Sequence, residues 1–341
     1  MKKHFRKTLV ATAVMGTLAS GIPGTASAYV YGVSHLEIQN FLFVSDPTEV
    51  TVNSFTFSLT NQASLNNAPS TVNGLVCGGT VSVNNCGPAG AVLDPLAAQQ
   101  GTPTGENNFG FVGTGSQYAR GDSIITGAQL VTGSPSAINM IAENNLLTGS
   151  FAQDSAVMQS TTNLTFTALA GAAFSLNFEA DADLRVAINE LLDGAFSTQS
   201  NVTASFTLTR TSAGGGSINW TMDGNLNAAD CVVSAPLSGA GALCSETADG
   251  GGAADASLNH PLSTGTNLSD LTYSYNAAAD FNPYGIDVRG LPAGDYSLAL
   301  TANVSDNKLR IVVIPEPGSI ALLGLGLLGM GVSLRRLNRN A

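Results

Sequence analysis

The sequence predicts an all-β fold, an antiparallel β-sandwich or jelly roll, on three observations. Charged residues make up 11% of the 341 residues while 44% are apolar, against roughly one quarter charged in an ordinary soluble domain. The chain is punctuated by 38 Gly and 13 Pro, which leaves too many apolar residues for a disordered chain and breaks any long helical period. Short runs alternate apolar and polar residues with a period of two, the mark of strands with one face on a core and one in water.

The first element is an export signal. Lys2, Lys3, Arg6 and Lys7 precede an apolar stretch near Leu9–Leu18, which is followed by Thr25-Ala26-Ser27-Ala28. A basic start, a short apolar run and an Ala-x-Ala site make residues 1–28 a secretory signal helix, with cleavage between Ala28 and Tyr29. A retained membrane anchor is the weaker alternative, because the apolar stretch is short and runs into Gly21, Pro23 and Gly24.

Residues 29–312 form the exported part. Its clearest strands are Phe55–Leu59, Leu164–Ala168, Phe174–Phe178, Val202–Leu208 and Tyr296–Leu300, with Ser, Thr and Asn on the opposite faces. The clusters between them, such as Leu291-Pro292-Ala293-Gly294-Asp295, supply turns. Leu184–Leu192 carries apolar residues at helical spacing and fits a helix or a continuation of the preceding strand equally well. Two glycine-rich stretches, Ser212–Ser217 and Ala248–Ala253, are candidate linkers, and a subdivision near 212–217 is permitted. Trp220 follows the first closely enough to close the same core, which favours one elaborated sandwich.

Between Tyr29 and Ile314 six bases face 23 acids, a net charge of −17. Nucleic acid is therefore excluded as a partner, since binding it needs clustered Lys and Arg. Cys77, Cys86, Cys231 and Cys244 are an even set in an oxidising compartment and read as disulfides. Of three connectivities the local pairs Cys77–Cys86 and Cys231–Cys244 are preferred, each bracketing a loop rich in small residues. Neither pair has the Cys-x-x-Cys spacing or adjacent His of a zinc site.

No Gly-x-Ser-x-Gly elbow or His-Glu-x-x-His helix occurs. His35, near the mature start, and His260, in an Asn-His-Pro turn, read as loop or surface residues. Glu179, Asp181 and Asp183 alternate and share one strand face, expected to be solvated. Asp223, Asn225, Asn227 and Asp230 place oxygen side chains as a calcium loop does. Ala228 stands where that loop needs glycine and Ser234 where it needs a closing Glu, so an Asn-rich turn without metal is the expectation, and no cofactor is assigned.

The last element is a tail, residues 313–341. Pro315-Glu316-Pro317 precedes an apolar helix over 320–334 that ends at Arg335, Arg336 and Arg339. Fifteen residues span about 23 Å as a helix, short of a ~30 Å bilayer core, so this is a marginal transmembrane helix with a basic stop-transfer cluster. The Gly324–Gly329 match to a dinucleotide fingerprint falls inside it and is accidental. Together, Pro-Glu-Pro, a glycine-rich apolar helix and terminal arginines resemble the PEP-CTERM sorting tail of Gram-negative bacteria. The resemblance implies an exosortase-type enzyme as partner, transient residence in the inner membrane, and delivery to the cell surface or an extracellular polysaccharide matrix. Gly121–Ile125, Ile138–Glu143 and Phe174–Asp181 are similar to the EDSAP-type group of these proteins.

The expected function is that of a non-enzymatic surface or matrix protein. The alternative is a secreted carbohydrate-active enzyme using paired carboxylates, which would need an aromatic-lined cleft with two carboxyls about 5–10 Å apart. A third reading is a structural protein that self-associates through Thr- and Asn-rich edges.

Overall fold

The computed structural model describes residues 28–312, apart from 81–84, 87–91, 102–104, 128–134, 148–150, 191–193, 227–229, 253–255 and 275–279. The expected signal helix (residues 1–28) falls, but for Ala28, outside the described residues, as do the tail residues Pro315, Glu316, Pro317, Arg335, Arg336 and Arg339. Among those described, no helix is long and apolar enough to cross a membrane.

The strands are β1 (Tyr29–Ser45), β2 (Val50–Ser64), β3 (Thr71–Gly79), β4 (Val92–Leu93), β5 (Ala98–Gly101), β6 (Tyr118–Thr126), β7 (Ser136–Leu146), β8 (Phe151–Ala168) and β9 (Ala172–Asn189). They continue with β10 (Gly194–Arg210), β11 (Ser217–Thr221), β12 (Cys231–Val233), β13 (Leu243–Asp249), β14 (Asn259–Thr264), β15 (Ser269–Tyr273), β16 (Asn282–Leu291) and β17 (Gly294–Val312). Two antiparallel sheets result. The first runs β13-β16-β9-β1-β7-β6-β4, with β15 also on β9 and β5 on β6; the second runs β12-β11-β10-β17-β8-β2-β3, with β14 also on β10. All five alternating runs read from the sequence lie in strands, β2, β8, β9, β10 and β17.

The sheets pack face to face as a sandwich. At one end the core is aromatic: Phe43 of β1 and Phe174 of β9 meet Phe166 of β8, each with ring centroids 5.8 Å apart, and Phe178 of β9 lies 6.0 Å from Trp220 of β11. At the other end the interior is polar. Ser34 of β1 donates to the Ser305 carbonyl of β17 at 2.8 Å and accepts the Asn201 N–H at 3.0 Å, so hydrogen bonds join the layers. Lys308 and Asp306 form a fully buried ion pair there, and Arg310 meets Glu190 at 2.5 Å. Gly32 admits this group: a Cβ at that position would sit 2.5 Å from Asp306 Oδ1 and 2.9 Å from the hydroxyls of Ser200 and Thr198. A buried ion pair needs such close, fully satisfied surroundings to offset its desolvation.

Leu184–Asn189 continues β9 as a strand, because β1 pairs with it residue by residue from Tyr29–Asn189 onward. Ser212–Gly216 is the hairpin turn between β10 and β11, which pair directly through Phe206–Trp220. Gly214, Gly215 and Gly216 all have positive φ there, a conformation that glycine alone adopts freely. The second candidate linker is also structured where described, since Ala248 and Asp249 end β13.

Candidate functional site

The loop that leaves β11 returns to β12 through Asp223 and Asp230. Met222 is fully buried, and its carbonyl accepts the Leu258 N–H at 3.0 Å. The Asn225 N–H donates to Asp223 Oδ1 at 2.9 Å, closing an Asx turn. Asp230 holds the other end, its carbonyl accepting the Thr221 N–H at 3.0 Å. The next residue, Cys231, is disulfide-bonded to Cys244 at the start of β13, with Cα atoms 5.9 Å apart. This bond brings β13 and its acids, Glu246 and Asp249, against the loop.

Two glycines set the final approach. Gly224 (φ 87°) and Gly250 (φ 60°) lie back to back over Ala256, and a Cβ on Gly250 would stand 3.1 Å from the Gly224 Cα. The carboxylate oxygens of Asp223, Asp230 and Asp249 consequently lie within 4.8 Å of one another. Asp249 is 1% exposed, and neither of its carboxylate oxygens receives a well-formed hydrogen bond, the Gly224 N–H and the Asp223 carboxyl being its nearest polar neighbours. Burial first, and then the Glu246 carboxylate, push its pKa up to about 7. Glu246 itself accepts the Trp220 Nε1–H at 2.6 Å.

Of the calcium-loop residues read from the sequence, Asp223 and Asp230 are brought together, Asn225 lines the adjoining recess, and Asn227 lies outside the described residues. Asp249 was missed because it sits in a stretch read as a linker. The signal available was Glu246-x-x-Asp249 just beyond Cys244, two acids placed next to a cross-link.

A second polar group lies on the outer face of the first sheet. His35 is buried in the middle of β1, which corrects its reading as a loop or surface residue; its Nε2 is 2.8 Å from Asn139 Oδ1 and its Nδ1 3.6 Å from Asp183 Oδ2. Phe109 and Phe111 cover it, with ring centroids 6.5 and 6.0 Å away. Glu179, Asp181 and Asp183 do share this face, but Asp181 and Asp183 are buried rather than solvated, and Glu179 accepts amide bonds from Gln39 and Asn40, each at 2.9 Å. Burial, and then Asp183, raise the pKa of Asp181 to about 6. His260 is a strand residue in β14, not part of a turn, and stacks on Tyr273 at 3.9 Å; burial lowers its pKa.

Cys77, at the end of β3, is bonded to Cys86 with Cα atoms 4.9 Å apart, so both local pairings form. Ala28 immediately precedes β1, whose first residue Tyr29 pairs with Asn189. A recess of ≈ 570 Å³ on the second sheet is lined by Ser, Thr, Gln and Asn side chains together with Lys308 and Leu309.

The last strand among the described residues, β17, runs to Val312, and the next residues, 313–336, match the PEP-CTERM protein-sorting motif. The chain carries a PEP-CTERM sorting tail. The match contains Pro315, Glu316, Pro317, Arg335 and Arg336, and Arg339 follows it. No curated protein and no solved structure matches the chain. A PEP-CTERM tail marks an exported protein that is sorted through its C-terminus by an exosortase-type enzyme, to the cell surface or the extracellular space.

Proposed function

We propose that residues 29–312 act as a non-enzymatic component of the cell surface or of an extracellular polysaccharide matrix, released from the inner membrane when the tail is processed. The observation that carries this reading is the junction between fold and motif. The last described strand, β17, runs to Val312 and the sorting motif begins at residue 313, so every described strand of the sandwich precedes the tail. Pro315 and Pro317 lack the backbone N–H that a helix interior uses, so the sequence sets this junction apart from the apolar run that follows. An acidic, lysine-poor exterior suits a protein that stays soluble outside the cell.

Replacing Pro315-Glu316-Pro317 with three alanines tests it. Export is expected to continue while full-length protein accumulates in the inner membrane fraction, seen by fractionation and immunoblotting. Unchanged delivery to the surface or matrix overturns the reading. A glycan array probed with the released protein then tests the polysaccharide partner.

A further inference from the structure

A feature independent of sorting is the acidic corner between the β11–β12 loop and the end of β13. Three carboxylates from two stretches of chain, the β11–β12 loop and the end of β13, converge to within 4.8 Å. Like charges this close repel by several kcal/mol if all are ionised in a low-dielectric setting, a repulsion that a shared proton or a shared cation relieves. Asp249 shows this most sharply. Its carboxyl is buried, and neither oxygen receives a hydrogen bond of good geometry, although buried polar groups are ordinarily satisfied. Its carboxyl instead approaches the oxygens of Asp223 and Asp230.

We propose that Asp223, Asp230 and Asp249 bind a calcium ion, with Asp249 at the floor and the two half-buried aspartates at the rim. The donor set is all oxygen, which selects a hard cation over zinc or copper. Three oxygens that all lie within 4.8 Å of one another can share one ion at calcium's 2.3–2.6 Å bond lengths, and calcium tolerates the irregular, partly hydrated geometry that such a corner offers. The remaining ligands come from water, which enters through the recess of ≈ 440 Å³ lined by Asn225, Thr247, Asp249 and Pro283. Binding ties the β11–β12 loop to the end of β13, beside the Cys231–Cys244 bond that already joins the same two stretches. Calcium is therefore a second staple for this corner. A calcium Kd of about 10⁻⁴ to 10⁻³ M, as in extracellular modules, is expected.

Thermal unfolding of the exported protein, in EDTA and in rising CaCl₂, tests the site. Tm is expected to rise and saturate, by about 5 °C when calcium exceeds its Kd a hundredfold. Terbium luminescence excited through Trp220, which is bonded to Glu246 beside the site, is expected to appear and to be displaced by calcium. Asp249→Asn is expected to abolish both responses while melting no lower than the parent in EDTA, because it removes a buried charge. If that variant does not fold, Asp223→Asn at the rim decides the matter, and Asp270→Asn on the far ion pair with Arg185 keeps the full response. A Tm identical in EDTA and in 10 mM calcium, or an Asp249→Asn or Asp223→Asn protein that keeps the parent's shift, overturns the proposal. An equal response to magnesium overturns the assignment to calcium.

Discussion

Arg120 and Glu143 form an ion pair at 2.7 Å that is 1% and 0% exposed, and their other bonds hold the backbone of one covering segment. Arg120 donates to the Asn108 and Gly110 carbonyls, both at 2.5 Å; Glu143 accepts the Val112 and Gly113 N–H groups at 2.9 and 3.0 Å and the Tyr31 hydroxyl at 2.7 Å. The pair is thus the latch that closes residues 105–117 over His35 and the outer face of the first sheet. Removing one member leaves an uncompensated buried charge, at a cost of about 3–5 kcal/mol. Arg120→Ala is expected to lower Tm and to expose 105–117 to limited proteolysis, whereas cleavage elsewhere first would show that the segment is held by its phenylalanines instead.

Several buried carboxyls give stability an unusual pH dependence. Burial raises Asp122 and Asp181 to about 6 and Asp154 to about 7, against about 3.9 in the unfolded chain. A raised acid pKa means that the folded state binds more protons between about pH 4 and 7, so stability falls as pH rises through that window. Tm measured in EDTA is expected to be higher at pH 5 than at pH 8. Asp154→Asn keeps the acceptor for the Asn66 N–H and is expected to stabilise the protein at pH 8 by on the order of 2 kcal/mol, with no gain at pH 4.

The two disulfides close short loops, and loss of either is expected to cost about 2–3 kcal/mol through the freedom restored to the unfolded chain. Peptide mapping of the non-reduced exported protein is expected to find Cys77 with Cys86, Cys231 with Cys244, and no free thiol. A peptide joining Cys77 to Cys231 or Cys244 would contradict both the spacing argument and the sheet geometry.

The mature protein is expected to begin at Tyr29. Strand β1 starts at that residue and pairs with β9 from Asn189, so cleavage after Ala28 leaves the central strand of the first sheet whole. Intact mass decides it, and an exported chain that still carries Lys2 through Lys7 would make the N-terminal run an anchor.

How legible each strand was depended on how its two faces are covered. Strands β2, β10 and β17 keep one face wet, so alternation such as Phe55-x-Phe57-x-Leu59 reads directly. Val30–Leu36 of β1 is buried on both faces, because the segment latched by Arg120 and Glu143 lies over the outer one, and its period-two signal is lost. The same cover buries His35, Asp181 and Asp183, which local spacing marks only as polar.

By itself the sequence determined export, the sorting tail, the sandwich class and the two local cysteine pairs, since each depends on residues near one another in the chain. The tertiary structure alone decided that Asp249 meets Asp223 and Asp230, and that Arg120 faces Glu143 across β6 and β7. The reason is that alternation reports which face a side chain occupies but not which strand lies beside it. Pairing order and register are set by packing across the whole sandwich.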